Sequence, residues 1–263
     1  MIKFQYFSDT HIDYYHENLP KIQRMFIQKL EKQKDKPNIL LLAGDIGKPS
    51  RPSYSTFLQS LSPMYEKIFI TTGNHEYYKM PYNSITELDN HCRDICRTMP
   101  QDNVVFLQND ICKVKDNLSI FGGTFWTDIP ANNKIQHNIM HTVNDYNLIP
   151  NMTPSLSSLL HEKAVSLLNY HVNNEDNKDM KWIVMSHHMP SFDLIDPKYT
   201  KVNTDMNYAF ASDVSISNDP RILAWVYGHT HSQSVKGKFY CNPIGYPGEN
   251  KDWTLFKDFT VFV

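Results

Sequence analysis

The stretch Ile39-Leu40-Leu41-Leu42-Ala43-Gly44-Asp45 decides the reading of this chain. Its apolar run has no polar alternation, as expected of a strand covered on both faces, and such strands occur in parallel sheets flanked by helices. The run stops abruptly at a glycine and a carboxylate. The same pattern recurs in both directions along the chain. Residues 2–7 read as a strand running into Asp9-Thr10-His11, and residues 67–72 as one stopping at Gly73-Asn74-His75-Glu76. Residues 182–185 deliver His187-His188, and residues 222–227 deliver Gly228-His229-Thr230-His231. Open α/β sheets bind ligands beyond the carboxyl ends of their strands, so the chemistry belongs in these loops.

Between the strands, apolar residues at helical spacing predict helices over 19–34, 54–64, 84–99 and 154–173. Ser84 and Glu87 stand as a capping box for the third of these. Short runs at 104–106, 111–114 and 118–121, broken by Asn-Asp and Asp-Asn turns, predict antiparallel hairpins. Residues 132–151 read as polar and irregular, 189–220 as a long irregular stretch with aromatics, and 259–263 as a strand closing a sheet. No repeat or low-complexity linker divides the chain, so one α/β domain over 1–263 is expected.

The bulk numbers are those of an ordinary globular protein: 263 residues, 41% hydrophobic and 21% charged, with net charge −2. No global basic field steers it to nucleic acid or anionic lipid, so no stable nucleic-acid complex is expected. The N-terminus lacks the long apolar region of a signal peptide, and no stretch reaches the length of a membrane span. Cys92, Cys96, Cys112 and Cys241 contain no C-x-x-C pair, and Cys92 and Cys96 read as two small buried residues. A cytoplasmic protein without a membrane partner is the expectation.

The motif loops gather carboxylate and amide oxygens with imidazole nitrogens, the mixed donor set that suits a pair of first-row divalent ions. A pair of such ions activates water and clamps a phosphoryl group for in-line displacement. Asp9 and His11 are two apart, as are His229 and His231. On extended backbone alternate residues point the same way, so each pair is expected to reach one ion. Spacing alone leaves either His187 or His188 as a ligand. Gly44, Gly73 and Gly228 sit where sharp turns or close backbone approach are needed.

In their order, D-x-H, G-D, G-N-H-E, H and G-H-x-H, these motifs resemble the calcineurin-like metallophosphoesterases, and the match spans nearly the whole chain. The resemblance implies a four-layer α-β-β-α sandwich. It implies two divalent transition metal ions, Mn²⁺, Fe or Zn²⁺. Asp9, His11, Asp45 and His231 would hold one ion, and Asp45, Asn74, His187 and His229 the other, with Asp45 bridging. It favours His187 over His188 as the ligand. It places His75 over the phosphate, stabilising the transition state or protonating the leaving oxygen. Asp45 and His75 are thus the expected catalytic pair. Glu76 is expected behind the ligands, orienting a histidine.

Departures narrow the family. Gly44-Asp45-Ile46-Gly47-Lys48-Pro49 lacks the arginine of the protein serine/threonine phosphatases, and Lys48 stands where purple acid phosphatases carry an iron-binding tyrosine. His187-His188-Met189-Pro190-Ser191, residues 207–213, Asn144-Asp145-Tyr146 and residues 241–249 resemble small cytosolic phosphoesterases common in bacteria. Ile244 replaces an arginine frequent in that group. The expected substrate is a small or nucleotide-type phosphodiester. A nuclease on single-stranded ends, a phosphomonoesterase and a non-catalytic scaffold are the alternatives. His188, Asn207 and Tyr208 are the candidate substrate contacts, with His188 equally open to a packing role. Phe210, Tyr77, Tyr78 and Tyr246 are nearby aromatics that could stack on a base, and Lys48 and Arg51 are the plausible phosphate-facing cations.

Overall fold

Alternate residues of strand β2 (Ile39–Ala43) feed two different cores, and this explains why the whole strand is apolar. Leu40 and Leu42 pack with Tyr54, Phe57, Leu58 and Leu61 of helix α1 (Pro52–Leu61) and with Leu88, Cys92 and Cys96 of helix α2 (Ile85–Arg97). Ile39, Leu41 and Ala43 point the other way and meet Leu118, Ile120, Ile183, Met185, Ala224 and Val226. A fully buried leucine contributes about 1.5–3 kcal/mol relative to exposure, so this run anchors both cores. The computed structural model describes residues 1–18, 38–201, 204–249 and 257–262. The helix expected over 19–34 lies outside the described residues.

Two sheets stack face to face. The first has strand order β11-β1-β2-β3-β4, with β1 (Ile2–Phe7), β2, β3 (Lys67–Thr71) and β4 (Val104–Phe106) parallel and β11 (Asp258–Val261) antiparallel at the edge. The second runs β5-β6-β7-β8-β10-β9. In it, β6 (Leu118–Gly122), β7 (Lys181–Met185), β8 (Ile222–Tyr227) and β10 (Phe239–Cys241) are parallel, while β5 (Asp110–Lys115) and β9 (Ser234–Lys236) pair antiparallel. Helices α1 and α2 cover the outer face of the first sheet. Ala164, Leu168 and Val172 of helix α5 (Pro154–Asn173) cover Phe121, Trp182, Val184 and Trp225 on the outer face of the second. The layers are therefore helix, sheet, sheet, helix, the expected α-β-β-α order.

Local signals account for the helix starts. Ser84 Oγ accepts from Glu87 N at 3.2 Å, while the Glu87 carboxylate takes Asn83 N at 3.0 Å rather than closing on Ser84 itself. Thr153 caps α5 ahead of Pro154, a residue whose fixed φ suits the first helical turn. Two expectations need correction. β4 forms no hairpin with β5; it crosses to the first sheet and runs parallel to β3, leaving β5 and β6 as the one hairpin of that trio. Residues 132–151 are not irregular. They form helices α3 (Asn133–Thr142) and α4 (Asp145–Leu148), started by Asn132 Oδ1 accepting from Lys134 N and Ile135 N and held by a thin stripe on Ile129 and Ala209. The short pair β9 and β10 has no apolar run long enough to announce it. Among the described residues no helix is long and apolar enough to cross a membrane. Cys92, Cys96 and Cys241 are buried free thiols.

Candidate metal centre

The carboxyl ends of β1, β2, β3, β7 and β8 open at one edge of the two sheets, and each is followed by a motif loop. The chain does not stay extended there. Asp9, His11, Asp45, His229 and His231 have φ of 52°, 44°, 54°, 69° and 51°. Left-handed backbone is uncommon for non-glycine residues and costs of order 1–3 kcal/mol each, so it persists only where its surroundings enforce it. Here the first two loops brace one another. Asp9 N donates to Gly44 O, His11 N to Asp45 O and Ile12 N to Ile46 O, all at 3.0 Å. The D-x-H and H-x-H pairs therefore converge by left-handed turns, not by the strand alternation expected from their spacing.

The result is a cluster of buried donors. Asp9 is 0% exposed, His11 and Asp45 1%, His187 0% and Asn74 2%. Asp9, His11 and His231 form one group, His11, Asp45 and His75 a second, and Asp9, Asp45 and His187 a third; within each, the possible ligand atoms lie within 4.8 Å of one another. His231 Nε2 is 3.4 Å from Asp9 Oδ1, and His11 Nε2 is 3.1 Å from His231 Nε2. Asp45 Oδ2 is 3.4 Å from His187 Nε2, 3.8 Å from His11 Nε2 and 4.0 Å from His75 Nε2, so it sits centrally. His229 falls outside these three groups. Its backbone N–H donates to both Asp9 oxygens at 3.1 Å, its ring lies 5.1 Å from that of His187, and its buried Nε2 has no hydrogen-bond partner among the described residues.

A second layer aims these atoms. His187 Nδ1 donates at 2.9 Å to Ala43 O, which turns the other ring nitrogen, Nε2, toward Asp45 and, at 3.0 Å, Asn74 Oδ1. The Asn74 amide is set by its NH₂, which donates to Asp145 Oδ1 at 2.7 Å and to Tyr78 Oη at 3.1 Å. His231 Nδ1 meets Glu249 Oε2 at 2.7 Å, the carboxylate–histidine pairing that fixes a ligand's tautomer and ring plane. Glu76 does not orient a histidine. Its carboxylate accepts from Gly73 N, Asp45 N, Ile46 N and Gly47 N at 2.8, 3.1, 2.7 and 3.3 Å, tying the loops after β2 and β3 together. Side chains are excluded at the glycines. A Cβ on Gly73 would overlap the Asp45 carboxylate, and one on Gly44, where φ is +84°, would lie 2.6 Å from His187 Nδ1.

Burial and charge split the histidines. Burial pushes His11 down to about 4; burial and the neighbouring His187 push His188 to about 3. Burial disfavours the charged forms of His187 and His231 as well. There the carboxylates outweigh it: Asp45 brings His187 up to about 10, and Asp9 with Glu249 brings His231 up to about 9. Desolvation likewise opposes ionisation of Asp9 and Asp45, but His231 and His187 respectively hold them below the usual carboxylate range. Without a cation the centre thus balances two buried carboxylates with two protons, and metal binding replaces such protons. The orphaned His229 Nε2, the converging Nε2 atoms and the two carboxylates fit a dinuclear site.

The candidate substrate contacts are placed unevenly around the centre. His188 is 1% exposed, packed 4.4 Å from the His229 ring and 5.3 Å from Trp126, with Nδ1 3.2 Å from Thr124 O; this is a packing position. Asn207 lies in a partly exposed turn, its NH₂ 3.4 Å from Tyr199 O. Tyr208 packs edge-on against Phe192 at 5.3 Å, and within that turn segment it is Phe210 that reaches the centre, 5.0 Å from the His229 ring. Lys48 Nζ donates to His75 O and, at 2.7 Å, to Tyr78 O, so it braces the His75 turn from behind. Tyr246 stacks on His11 at 4.4 Å. Asp145, Glu249 and Tyr246 are the contributors whose roles spacing did not reveal; the segments around them carried the resemblance, but their partners are remote in sequence.

The chain belongs to the calcineurin-like phosphoesterase family, whose model matches residues 2–233. It is accordingly a metal-dependent phosphoric ester hydrolase. It is 34% identical over 253 residues to an uncharacterized protein of Acanthamoeba polyphaga mimivirus, covering 91% of this chain and 87% of that one. Among solved structures it is similar to the phosphopantetheinyl hydrolase of Mycobacterium tuberculosis, with a TM-score of 0.68 at 15% identity over 95% of this chain and 91% of that one. That likeness is one of fold.

Proposed function

We propose that this chain hydrolyses a phosphodiester bond of a small or nucleotide-type substrate in the cytoplasm, with no membrane partner or stable nucleic-acid complex. Asp9, His11, Asp45 and His231 would hold one divalent ion and Asp45, Asn74, His187 and His229 the other, with Mn²⁺ the first metal to try and Fe or Zn²⁺ next. When bound, the ions supply positive charge to the phosphoryl oxygens and activate water. The chain's own groups do the rest. Asn74 offers a neutral amide oxygen held by Asp145 and Tyr78, so the centre keeps more positive charge for substrate than a third carboxylate would leave. His75 turns Nε2 toward Asp45 and is the donor to the leaving oxygen.

The observation that carries the diester reading is the position of Lys48. A monoester dianion needs fixed cations beyond the metals, and the Lys48 ammonium is committed to the carbonyls of His75 and Tyr78. Ile244, where an arginine is frequent in similar enzymes, is 3% exposed in the core beneath the first sheet's helices. A diester monoanion makes less demand on such charges. With Mn²⁺ at neutral to mildly alkaline pH, kcat/KM should be higher for bis(4-nitrophenyl) phosphate than for 4-nitrophenyl phosphate, that ratio being the one that reports transition-state binding. A clear preference for the monoester overturns the reading in favour of a phosphomonoesterase. Short single-stranded oligonucleotides and phosphopantetheinyl esters, the latter prompted by the name of the Mycobacterium tuberculosis neighbour, belong in the same screen.

A further inference from the structure

The segment after β10 reaches the centre from the second sheet. It is docked by a bridge between Ser8 and Pro243, with Ile244 N donating to Ser8 O at 3.0 Å and Gly245 N to Asp9 O at 2.8 Å. The turn that follows touches three histidines. The Tyr246 ring lies 4.4 Å from the His11 ring and 18° from parallel to it. Its hydroxyl is 3.4 Å from His75 Nε2. Its backbone N–H donates at 2.9 Å to Glu249 Oε2, the same oxygen that meets His231 Nδ1. His75 is held from the other side as well, its ring stacked 4.2 Å from Tyr78.

We propose that Tyr246 is a positioning residue for His75, holding Nε2 at the reaction centre through both halves of proton transfer. The proposal rests on His75 being the proton donor to the leaving oxygen. Before the reaction Nε2–H donates to the Tyr246 oxygen. As the oxygen of the attacking water bonds to phosphorus and the P–O bond to the leaving group breaks, that proton passes to the leaving oxygen and the alcohol departs. The lone pair now on Nε2 accepts the Tyr246 O–H, and a proton from solvent later restores the starting state. A hydroxyl suits this place because it is a neutral group that both accepts and donates. The ring face on His11 fixes where that hydroxyl stands.

Tyr246→Phe keeps the ring and its stacking and removes only the hydroxyl, so a purely structural role for Tyr246 leaves it silent. The variant should lose about tenfold in kcat on diesters with alkyl leaving groups, the size of one hydrogen bond to a group changing charge, while KM and turnover of the 4-nitrophenyl ester barely move. Added to His75→Ala, it should cost nothing further, because coupled groups are non-additive. Independently of turnover, the ¹⁵N resonance of His75 Nε2 in metal-free protein should shift in Tyr246→Phe while that of His161, bonded to Trp126 O, stays. An unmoved His75 resonance, or equal loss across leaving groups, overturns the assignment. His75→Ala read alone separates the layers. If its loss is independent of leaving group, the donor role falls and this proposal with it. If its loss follows the leaving group while Tyr246→Phe behaves as wild type, only the Tyr246 assignment falls.

Discussion

Asp145 stands 71 residues from Asn74 in the chain, yet its carboxylate decides which end of that amide faces the centre. Asn74 has one oxygen to offer His187's neighbourhood, and the amide keeps that orientation because its NH₂ is spent on Asp145 and Tyr78. Removing a group that orients a ligand typically weakens metal affinity about 10–100-fold. Asp145→Ala should therefore weaken Mn²⁺ binding by that order in calorimetric titration, with far-UV circular dichroism unchanged. Affinity equal to wild type would show that the amide orients itself. The residue scale is also where sequence reading reached least evenly. Each candidate ligand is legible in its motif, because loop and side chain are adjacent. Glu76 reads in sequence as a histidine's partner, whereas its actual partners, the N–H groups of two separate loops, become neighbours only when β2 and β3 pair.

Helix α2 carries a buried acid into the network beneath the Asn74 loop. Tyr77 Oη donates to Asp89 Oδ1 at 2.6 Å and lies 2.9 Å from Gln108 Nε2, which donates to it. Burial dominates and raises Asp89 from its ordinary 3.8 to about 6. The folded state then binds the proton more tightly than the unfolded one, so the contribution to stability falls as pH rises between those values. The difference in unfolding free energy between wild type and Asp89→Asn should decline from pH 4 to pH 6.5 by about 2 kcal/mol and flatten above. Urea melts across that range check it; a difference growing with pH reverses the sign and refutes it. Element assignments followed the strength of local signals. α5 begins with Thr153-Pro154 and carries a broad apolar face, and its bounds were readable. α3 has a thin stripe that becomes sufficient only against Ile129 and Ala209, and β4 reads the same whether it pairs with β3 or β5.

Across the molecule, two sheets bring their strand ends to one edge, where two buried carboxylates stand beside a histidine nitrogen that has no hydrogen-bond partner among the described residues. Ions that bind only the folded state stabilise it in proportion to the logarithm of their excess. Mn²⁺ at a hundred times its dissociation constant should raise Tm by about 5–10 °C, and Asp45→Asn should abolish most of the rise. Elemental analysis of reconstituted protein should find two transition metal ions per chain. One or none after excess metal would count against the dinuclear reading, and a rise in Asp45→Asn equal to wild type against the central place of Asp45.

Fold class, the order of the motif loops and the residue types at the centre are all legible in the chain's own residues. Buried parallel strands and candidate metal ligands are both written in short, contiguous runs, where period and chemistry are local properties. How those loops bend and what stands behind them depends on packing between remote segments. Left-handed turns at Asp9, His11 and Asp45 are stable because neighbouring loops hydrogen-bond across them. The same packing buried His188, drew Lys48 to the His75 turn and carried Tyr246 and Glu249 onto three histidines. Each of those outcomes depends on contacts between segments far apart in the chain, and such contacts leave no period or spacing for a sequence to display.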